Sequence, residues 1–312
     1  MYGLNRDSGP NLELVKTALD DLLDQAMLEN ANVAKAEATD PIVFTQGTAE
    51  NAAKVTAVLG GGGYFEKFVG DNQPIKSAAV LATALRTTLI AEFKKDLPIP
   101  RTFMADQQQD AVAKAVNQQT KTWMASRDRN AFAVFANGFT TQTTIDGATL
   151  FSTAHTTVNG DTVDNSYTGL LSDGNMNILV NALRQQLAQT GVLLGYEPKA
   201  LLTPSILHET GTQVCKSVLR AGTGNNDLNY WSEVYPGMKV VYSPFLDSVS
   251  TTAYFLLAAN HGVYRFEREA FFSTLVPWET DPDDNFKYKL RAREEVDSIE
   301  FSGTAASTGT TS

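Results

Sequence analysis

The feature that most constrains this chain is a stretch without glycine or proline, residues 106–136. It is dense in Ala, Gln and Lys, which are strong helix formers. Apolar residues recur in it near helical spacing, namely Val112, Val116, Trp123, Ala131 and Val134. At 1.5 Å per residue, the stretch predicts a helix of roughly 45 Å, far longer than the usual three turns. The fold must therefore be built along one long helix.

A compact motif follows the helix, which the sequence predicts to stop at Gly138. An Asp-Gly pair indicates a turn, and a Leu-Phe-Ser triplet and a histidine come after it. The motif residues are Asp146, Gly147, Leu150, Phe151, Ser152 and His155. The order of long helix, glycine stop, turn and histidine resembles the major capsid proteins of tailed double-stranded DNA phages, particularly the Mu-type head subunits. Residues 201–207 (LLTPSIL) and 240–246 (VVYSPFL) carry the same resemblance later in the chain.

The resemblance implies an α+β subunit with the Hong Kong-phage-type capsid fold. An N-terminal arm would occupy residues 1–45, and an extended β-hairpin loop with its flanking strands residues 46–100. A peripheral domain with the long spine helix and a long β-sheet would cover 101–172 and receive return strands from 269–302. An axial α/β domain would fill 173–268, and residues 303–312 would form a flexible tail, because their Ser/Thr/Gly composition offers too little apolar content to order itself.

Two further sets of residues are expected to make contacts. On the spine helix, the packing residues are Val112, Val116, Trp123 and Met124. In the extended loop, which the resemblance places over a neighbouring subunit, the contact residues are Gly60, Gly63, Tyr64, Phe65 and Phe68. Residues 60–63 are four glycines; a phosphate-binding loop would need a Gly-Lys-Ser/Thr sequence after them, so a hinge is favoured.

Periodicity predicts the remaining elements. Amphipathic helices are expected over 11–30 and from Met176 toward Gly191, and another helix opens at Thr203-Pro204 and runs to Val218. The predicted strands are 42–45, 64–69, 199–202, 238–242, 253–259, 263–268 and 286–292. One face of the segment 87–99 is expected to carry its apolar residues, namely Leu89, Ala91, Phe93, Leu97 and Ile99. Residues 77–86 fit either helix or strand. The N-terminal helix must bury its apolar face, either against its own domain or against a neighbouring subunit.

Composition limits the function classes. The chain has 312 residues and a formal net charge of −10, which disfavours a basic nucleic-acid footprint but permits a shell around DNA that does not adsorb it. Cys215 is the only cysteine, which excludes an internal disulfide. The start of the chain shows no secretory signal, and the apolar run 253–259 is too short to span a bilayer. No cofactor is expected.

The candidate chemical sites all have simpler structural explanations. His155, His208 and His261 lack metal-ligand spacing; a three-histidine zinc site stays open, but hydrogen-bonded structural histidines are favoured. Ser152 and His155 with Asp161 or Asp164 could form a hydrolase triad, but no nucleophile elbow surrounds Ser152. The acidic cluster 281–284 lacks the pattern of a calcium loop and predicts a solvated turn. Cys215 is expected to be buried and inert.

These observations predict a structural protein without enzymatic activity. The resemblance implies that the subunit assembles as hexamers and pentamers into an icosahedral shell enclosing double-stranded DNA, in a virion assembled in the host cytoplasm. Its partners would be copies of itself, a separate scaffolding protein, a portal and decoration proteins, with no membrane. The alternatives are an encapsulin-like nanocompartment shell with the same fold and, more distantly, a soluble hydrolase using Ser152 and His155.

Overall fold

The computed structural model describes residues 12–31, 40–60, 81–100, 102, 109–219, 227–248, 250–277, 283 and 285–310. Its helices are α1 (Leu12–Ala31), α2 (Gln109–Ala136), α3 (Asp173–Gln185), α4 (His208–Lys216), α5 (Tyr230–Val234) and α6 (Pro244–Asp247). Its first strands are β1 (Thr45–Thr48), β2 (Ala53–Gly60), β3 (Leu81–Leu89), β4 (Ala91–Pro100), β5 (His155–Thr156), β6 (Thr162–Val163) and β7 (Ser166–Tyr167). The remaining strands are β8 (Pro198–Thr203), β9 (Lys239–Tyr242), β10 (Tyr254–Ala258), β11 (Val263–Val276), β12 (Asn285–Ser298) and β13 (Thr304–Ser307).

The long helix is confirmed over the described part of its range, as α2. It lies on a four-stranded sheet of order β1-β11-β12-β4. The predicted packing residues, Val112, Val116, Trp123 and Met124, are all buried on its sheet side. The Trp123 ring stacks on Phe271 with ring centroids 5.0 Å apart and meets Phe93 edge-on at 5.4 Å. Burying rings of this size accounts for much of the energy that holds the helix on the sheet.

The end of α2 is fixed by the glycine that follows it. Gly138 donates a backbone hydrogen bond to the Phe135 carbonyl at 3.0 Å. A Cβ added at Gly138 would lie 2.7 Å from the Phe151 ring, closer than real contacts allow. The glycine therefore lets the motif residue Phe151 pack directly on the end of the helix.

The two long strands β11 and β12 pair antiparallel and run through the centre of this sheet. The alternation expected over 286–292 is confirmed: Phe286, Tyr288, Leu290 and Ala292 are buried, and the basic residues between them point to the other face. Both strands are longer than predicted, with 14 residues each. Charged residues that mask the apolar pattern, such as Arg265 and Glu294, lie buried within them.

A second sheet has the order β7-β13-β10-β8-β9, and it corrects the expected flexible tail. Residues Thr304–Ser307 form β13, which is fully buried between β7 and β10. The tail was predicted from its low apolar content, but Thr, Ala and Ser are small enough to lie in a tightly packed interior strand. There the backbone hydrogen bonds of the sheet order them. Residues 311–312 lie outside the described residues.

The region before α2 forms an antiparallel two-stranded ribbon of β2 and β3. Residues 81–86, left undecided by the sequence, are therefore strand. Gly60 is the last residue of β2, and the rest of the predicted hinge, residues 61–63, lies outside the described residues. Gly63, Tyr64, Phe65, Phe68 and the predicted strand 64–69 lie outside the described residues.

Several predicted boundaries shift. Leu89 is 72% exposed, because the chain passes from the ribbon into β4 at the buried Ile90 and the alternation is reset there. The strand predicted at 42–45 lies at Thr45–Thr48, since Asp40 begins a turn by accepting a hydrogen bond from the Ile42 amide at 3.0 Å. Leu19 and Leu23 of α1 pack on the chain's own core.

The helices around the second sheet also differ in their limits. α3 ends at Gln185, before Gly191, and α4 ends at Lys216, which leaves Val218 74% exposed. Thr203 is the last residue of β8 and not a helix cap. Pro204 precedes a short 3-10 turn, Ser205–Leu207, that leads into α4.

Candidate functional site

The motif after α2 is organised around a buried pair, Asp146 and His155. His155 is completely buried, and its Nδ1 lies 2.8 Å from Asp146 Oδ2. Its Nε2 lies 3.2 Å from both the Leu150 carbonyl oxygen and Asn165 Oδ1. All of these neighbours are hydrogen-bond acceptors, so whichever ring nitrogen carries a hydrogen has an acceptor facing it. The ring also stacks on Phe301, with centroids 4.2 Å apart.

Asp146 accepts further hydrogen bonds that hold the turn. The Thr144 hydroxyl and the Ala148 amide donate to Oδ1, and the Thr156 amide donates to Oδ2 at 3.2 Å. Burial raises the pKa of the Asp146 carboxyl, but the hydrogen bonds from His155 and Thr144 outweigh it and hold the pKa below its ordinary value. The carboxylate is therefore the stable form in the folded chain.

Asn165 is the member of this network that the sequence did not reveal. It donates to the Leu150 carbonyl at 2.9 Å and accepts from the Ser152 amide at 2.9 Å. Thr304 Oγ1, at the start of β13, lies 3.3 Å from its Nδ2. Asn165 thus ties the motif to the second sheet, and its position ten residues beyond the motif histidine carries no periodic signal.

The hydrolase triad does not assemble. His155 pairs with Asp146 and not with Asp161 or Asp164, and its Nε2 is occupied by Leu150 and Asn165. The Ser152 side chain accepts a hydrogen bond from the Ala154 amide at 3.2 Å and so shapes a local turn. Leu150 and Phe151 are buried in the core beside α2, and Gly147 has φ 84°, a conformation that favours glycine. These are structural roles.

The base of the ribbon is fastened by a second buried carboxylate. Arg86 donates from Nε and Nη2 to both oxygens of Asp297, at 2.8 and 2.6 Å. Thr88 and Gln142 donate to the same carboxylate, at 2.5 and 2.9 Å. A bidentate arginine–carboxylate pair fixes direction as well as distance, so this cluster sets the angle at which the ribbon leaves the body of the protein.

The opposite face of the ribbon is apolar and uncovered. Cross-strand pairing places Ala53 opposite Leu89, Val55 opposite Thr87, and Ala57 opposite Leu85. Val55, Leu85 and Leu89 are 57%, 68% and 72% exposed. Single exposed apolar residues are common, but a file of them along one face marks a contact surface.

Other titratable groups in the described residues serve packing. His261 accepts a hydrogen bond from the Val263 amide at 3.2 Å, and burial lowers its pKa to about 4. Burial also raises the pKa of the Cys215 thiol to about 12, so Cys215 is buried and poorly nucleophilic, as expected. The Arg265 guanidinium, with Gln46 and Glu267 on one side, pairs with the buried Glu294.

Within the part of the chain that the structure describes, no three His, Cys, Asp or Glu side chains are grouped so as to hold a metal ion. None of the helices described is long and apolar enough to cross a membrane. Asp283 is exposed, as predicted for the acidic turn, while most of residues 278–284 lie outside the described set.

The long helix on a long sheet, the second sheet and the projecting ribbon define the Hong Kong-phage-type capsid fold of tailed phages. The procapsid subunit of bacteriophage JBD30 matches with a TM-score of 0.52 and 16% identity, over 98% of this chain and 77% of that one. The capsid of cyanophage P-SCSP1u matches at 0.53 and 10%, over 86% and 87%. A virus-like particle from Pyrococcus furiosus matches at 0.52 and 9%, over 90% and 96%.

Sequence similarity gives the family. The family model described as phage capsid protein matches residues 84–306, which is more than half of the chain. No curated protein matches. The chain belongs to this phage capsid protein family, and its role is that of a structural capsid subunit.

Proposed function

We propose that this chain is the major head subunit of a Mu-type tailed phage and assembles as hexamers and pentamers into an icosahedral shell around double-stranded DNA. The observation that carries the proposal is the ribbon, whose Arg86 face is fastened to Asp297 while its Val55–Leu85–Leu89 face is exposed. An apolar face that stays in water does not stabilise a free subunit. In a shell, a neighbouring subunit would cover the face, and its burial would stabilise the assembly.

The energetics fit this role. A two-stranded ribbon is marginally stable in water without a surface to pack on. Burying a leucine side chain contributes roughly 1.5–3 kcal/mol. Leu85 and Leu89 together would therefore contribute a few kcal/mol per neighbour contact, and many such modest contacts sum over a closed shell.

The wider partners follow from the same role. The subunit would occupy the virion shell after assembly in the host cytoplasm, with a scaffolding protein, a portal and decoration proteins as separate chains. The net charge of −10 suits a shell that encloses DNA without binding its sequence, since few phosphates would be neutralised by the protein. In this arrangement residues 1–45 serve as an arm, 46–100 as the extended loop with its flanking strands, and 173–262 as the axial domain; the expected limit at 268 moves to 262 because β11, from Val263, pairs in the sheet beneath α2.

A protein nanocompartment shell is the second candidate. The similarity to the Pyrococcus furiosus particle, at 9% identity and a TM-score of 0.52, is one of fold, and this fold serves both kinds of shell. The two candidates differ in cargo. Particles purified from the native source should contain double-stranded DNA if the phage role is right, and protein cargo without DNA would favour the nanocompartment.

Assembly through the ribbon has a direct test. Leu85→Thr/Leu89→Thr keeps residues that favour strands but removes the apolar face, whereas Thr87→Val on the same face adds apolar area as a matched control. Size-exclusion chromatography with light scattering and electron microscopy should show shells or capsomers for the unaltered chain and for Thr87→Val. The double variant should stay mostly unassembled with an unchanged melting temperature. Normal particles from the double variant would remove the ribbon from the proposal.

A further inference from the structure

A small pocket lies between the long helix α2 and the edge strand β4. It encloses about 110 Å³, whereas a water molecule occupies about 30 Å³ of the liquid. Its lining includes residues of α2, β4 and the two central strands of the sheet, namely Phe93, Lys95, Gln119, Trp123, Phe271 and Leu290. The pocket opens to solvent beside β4, where no described strand continues the sheet. It has room for one side chain or one small molecule, and we name it the Trp123 pocket.

The register of β4 explains why this space is not filled. Lys95 lies directly opposite Leu290 of β12, so the two side chains leave the sheet on the same face, the one that packs on α2. Leu290 is buried there, and so is Ile99 further along β4, whereas Lys95 is exposed. A lysine takes its ammonium group into water and brings only its stem to the core. The volume that an apolar side chain at position 95 would occupy therefore remains open.

Two buried polar atoms on the lining residues have no hydrogen-bond partner in the part of the chain that the structure describes. They are Nε1 of Trp123, a donor on a residue that is 9% exposed, and Oε1 of Gln119, an acceptor. The two residues lie one turn apart on α2, yet these atoms do not bond to each other. Thr122 and Ser126, which also line the pocket, donate their hydroxyls to carbonyls of α2 at 2.9 and 2.7 Å. Buried polar atoms are normally paired, so the pocket offers one donor and one acceptor to a ligand.

A primary carboxamide matches this donor and acceptor. Its oxygen accepts a hydrogen bond and its NH2 group donates one, from two atoms of the same flat group. A carboxylate only accepts and would leave the Gln119 oxygen unpaired, whereas an ammonium group only donates and would leave the Trp123 N–H unpaired. The rings of Trp123 and Phe93, with centroids 5.4 Å apart, give an apolar wall for the carbon stem that carries the amide.

We propose that the Trp123 pocket binds a primary carboxamide, with Trp123 Nε1 donating to its oxygen and Gln119 Oε1 accepting from its nitrogen. Two sources carry this chemistry: an asparagine or glutamine side chain of a neighbouring copy, and a small dissolved amide. The pocket is formed within one subunit, so binding of the amide group does not depend on the proposed shell.

Indole NMR of the unassembled full-length chain tests the site. The chain has three tryptophans, and Trp123→Phe identifies the N–H signal of Trp123. Propionamide should shift that signal saturably, and propionate, of nearly the same size, should shift it several-fold less at equal concentration. No shift with propionamide would mean that water or the Gln119 side chain satisfies Trp123, and would overturn the proposal. A larger shift with propionate would also overturn it and assign the pocket to an anion held by Lys95.

Two substitutions should abolish the propionamide shift for different reasons. Gln119→Leu removes the acceptor and keeps a strong helix former. Lys95→Leu places an apolar side chain in the open volume, and it should also raise the melting temperature because it fills a cavity. Lys289→Leu is the matched control, since the exposed Lys289 precedes Leu290 on β12 and leaves the sheet on the opposite face. A folded Lys95→Leu chain that keeps the full shift would place the bound amide elsewhere and overturn the proposal.

Shell assembly separates the two sources of the amide. If a neighbouring copy supplies the side chain, Gln119→Leu and Lys95→Leu should lower the assembled fraction several-fold, while Lys289→Leu assembles normally. If all three variants assemble like the unaltered chain, the bound group is a dissolved amide. Failure of the unaltered chain to assemble with scaffolding protein supplied would count against the proposed function alone, because the NMR result is obtained on the single subunit.

Discussion

His155 is the residue on which the motif depends most. Its ring joins a turn carboxylate, a backbone carbonyl and an amide from a later segment, all inside the core. The sequence could predict the structural role of Asp146 and His155, because a turn and a histidine close to it are visible in one short stretch. Asn165 could not be predicted, since its contact depends on how the chain returns to the sheet.

Replacing His155 should show how much the hydrogen bonds of its ring contribute to the free energy of unfolding. His155→Leu keeps the volume roughly but leaves the Asp146 carboxylate buried without its main donor, a loss of about 3–5 kcal/mol when one partner of a buried pair is removed. His155→Gln retains a donor and should lose less. Urea unfolding of the soluble subunit measures both. Equal stability of the two variants would contradict the paired arrangement.

His261 should make stability depend on pH. Its folded pKa is lowered from 6.5 to about 4 by burial. Between these values the unfolded chain binds a proton that the folded chain does not, so the unfolding free energy falls as the pH drops from 6.5 to 4, by about 3 kcal/mol in total. The contribution of the neutral His261 to stability is fully retained above pH 6.5.

Burial raises the pKa values of three carboxyl groups, Glu294, Glu295 and Glu300. Their titration also contributes to the pH dependence of stability, so the unaltered chain is compared with a variant at position 261. His261→Gln removes the titration and can still hydrogen-bond. The unfolding free energy of His261→Gln should depend less steeply on pH over the same range. The difference in slope corresponds to at most one proton taken up on unfolding. Superimposable pH profiles would mean that His261 has the same pKa in the folded and the unfolded chain.

At the scale of elements, the long helix and the last long strand were predictable because their periodicity extends over many residues. The strand β13 was not, because Thr304, Ala305, Ala306 and Ser307 have neither alternation nor bulk. Its order comes from neighbours on both sides, β7 and β10. The ribbon was expected as an extended β-hairpin loop. Its register and the exposure of Leu89 depend on where the chain leaves for β4, and the local sequence pattern does not encode that point.

The attachment of the ribbon gives a prediction at this scale. Arg86→Ala leaves Asp297, whose side chain is 10% exposed, without its bidentate partner, and should destabilise the subunit by about 3 kcal/mol or more. Arg291→Ala is the matched control: its pairs with Glu92 and Glu269 involve a side chain that is 41% exposed, so the cost should be about 0–1 kcal/mol. Thermal unfolding compares them, and similar losses would place the ribbon anchor elsewhere.

At the scale of the whole molecule, a subunit with net charge −10 must approach many copies of itself. Like net charges slow association at low ionic strength, and the screening length falls from about 30 Å at 0.01 M to about 8 Å at 0.15 M salt. A contact through the apolar face of the ribbon is not weakened by salt in the same way. Assembly followed by light scattering should therefore accelerate as salt rises over this range. A rate that falls with salt would show that oppositely charged patches guide the subunits together, and would shift the assembly contacts from the apolar surfaces to charged ones.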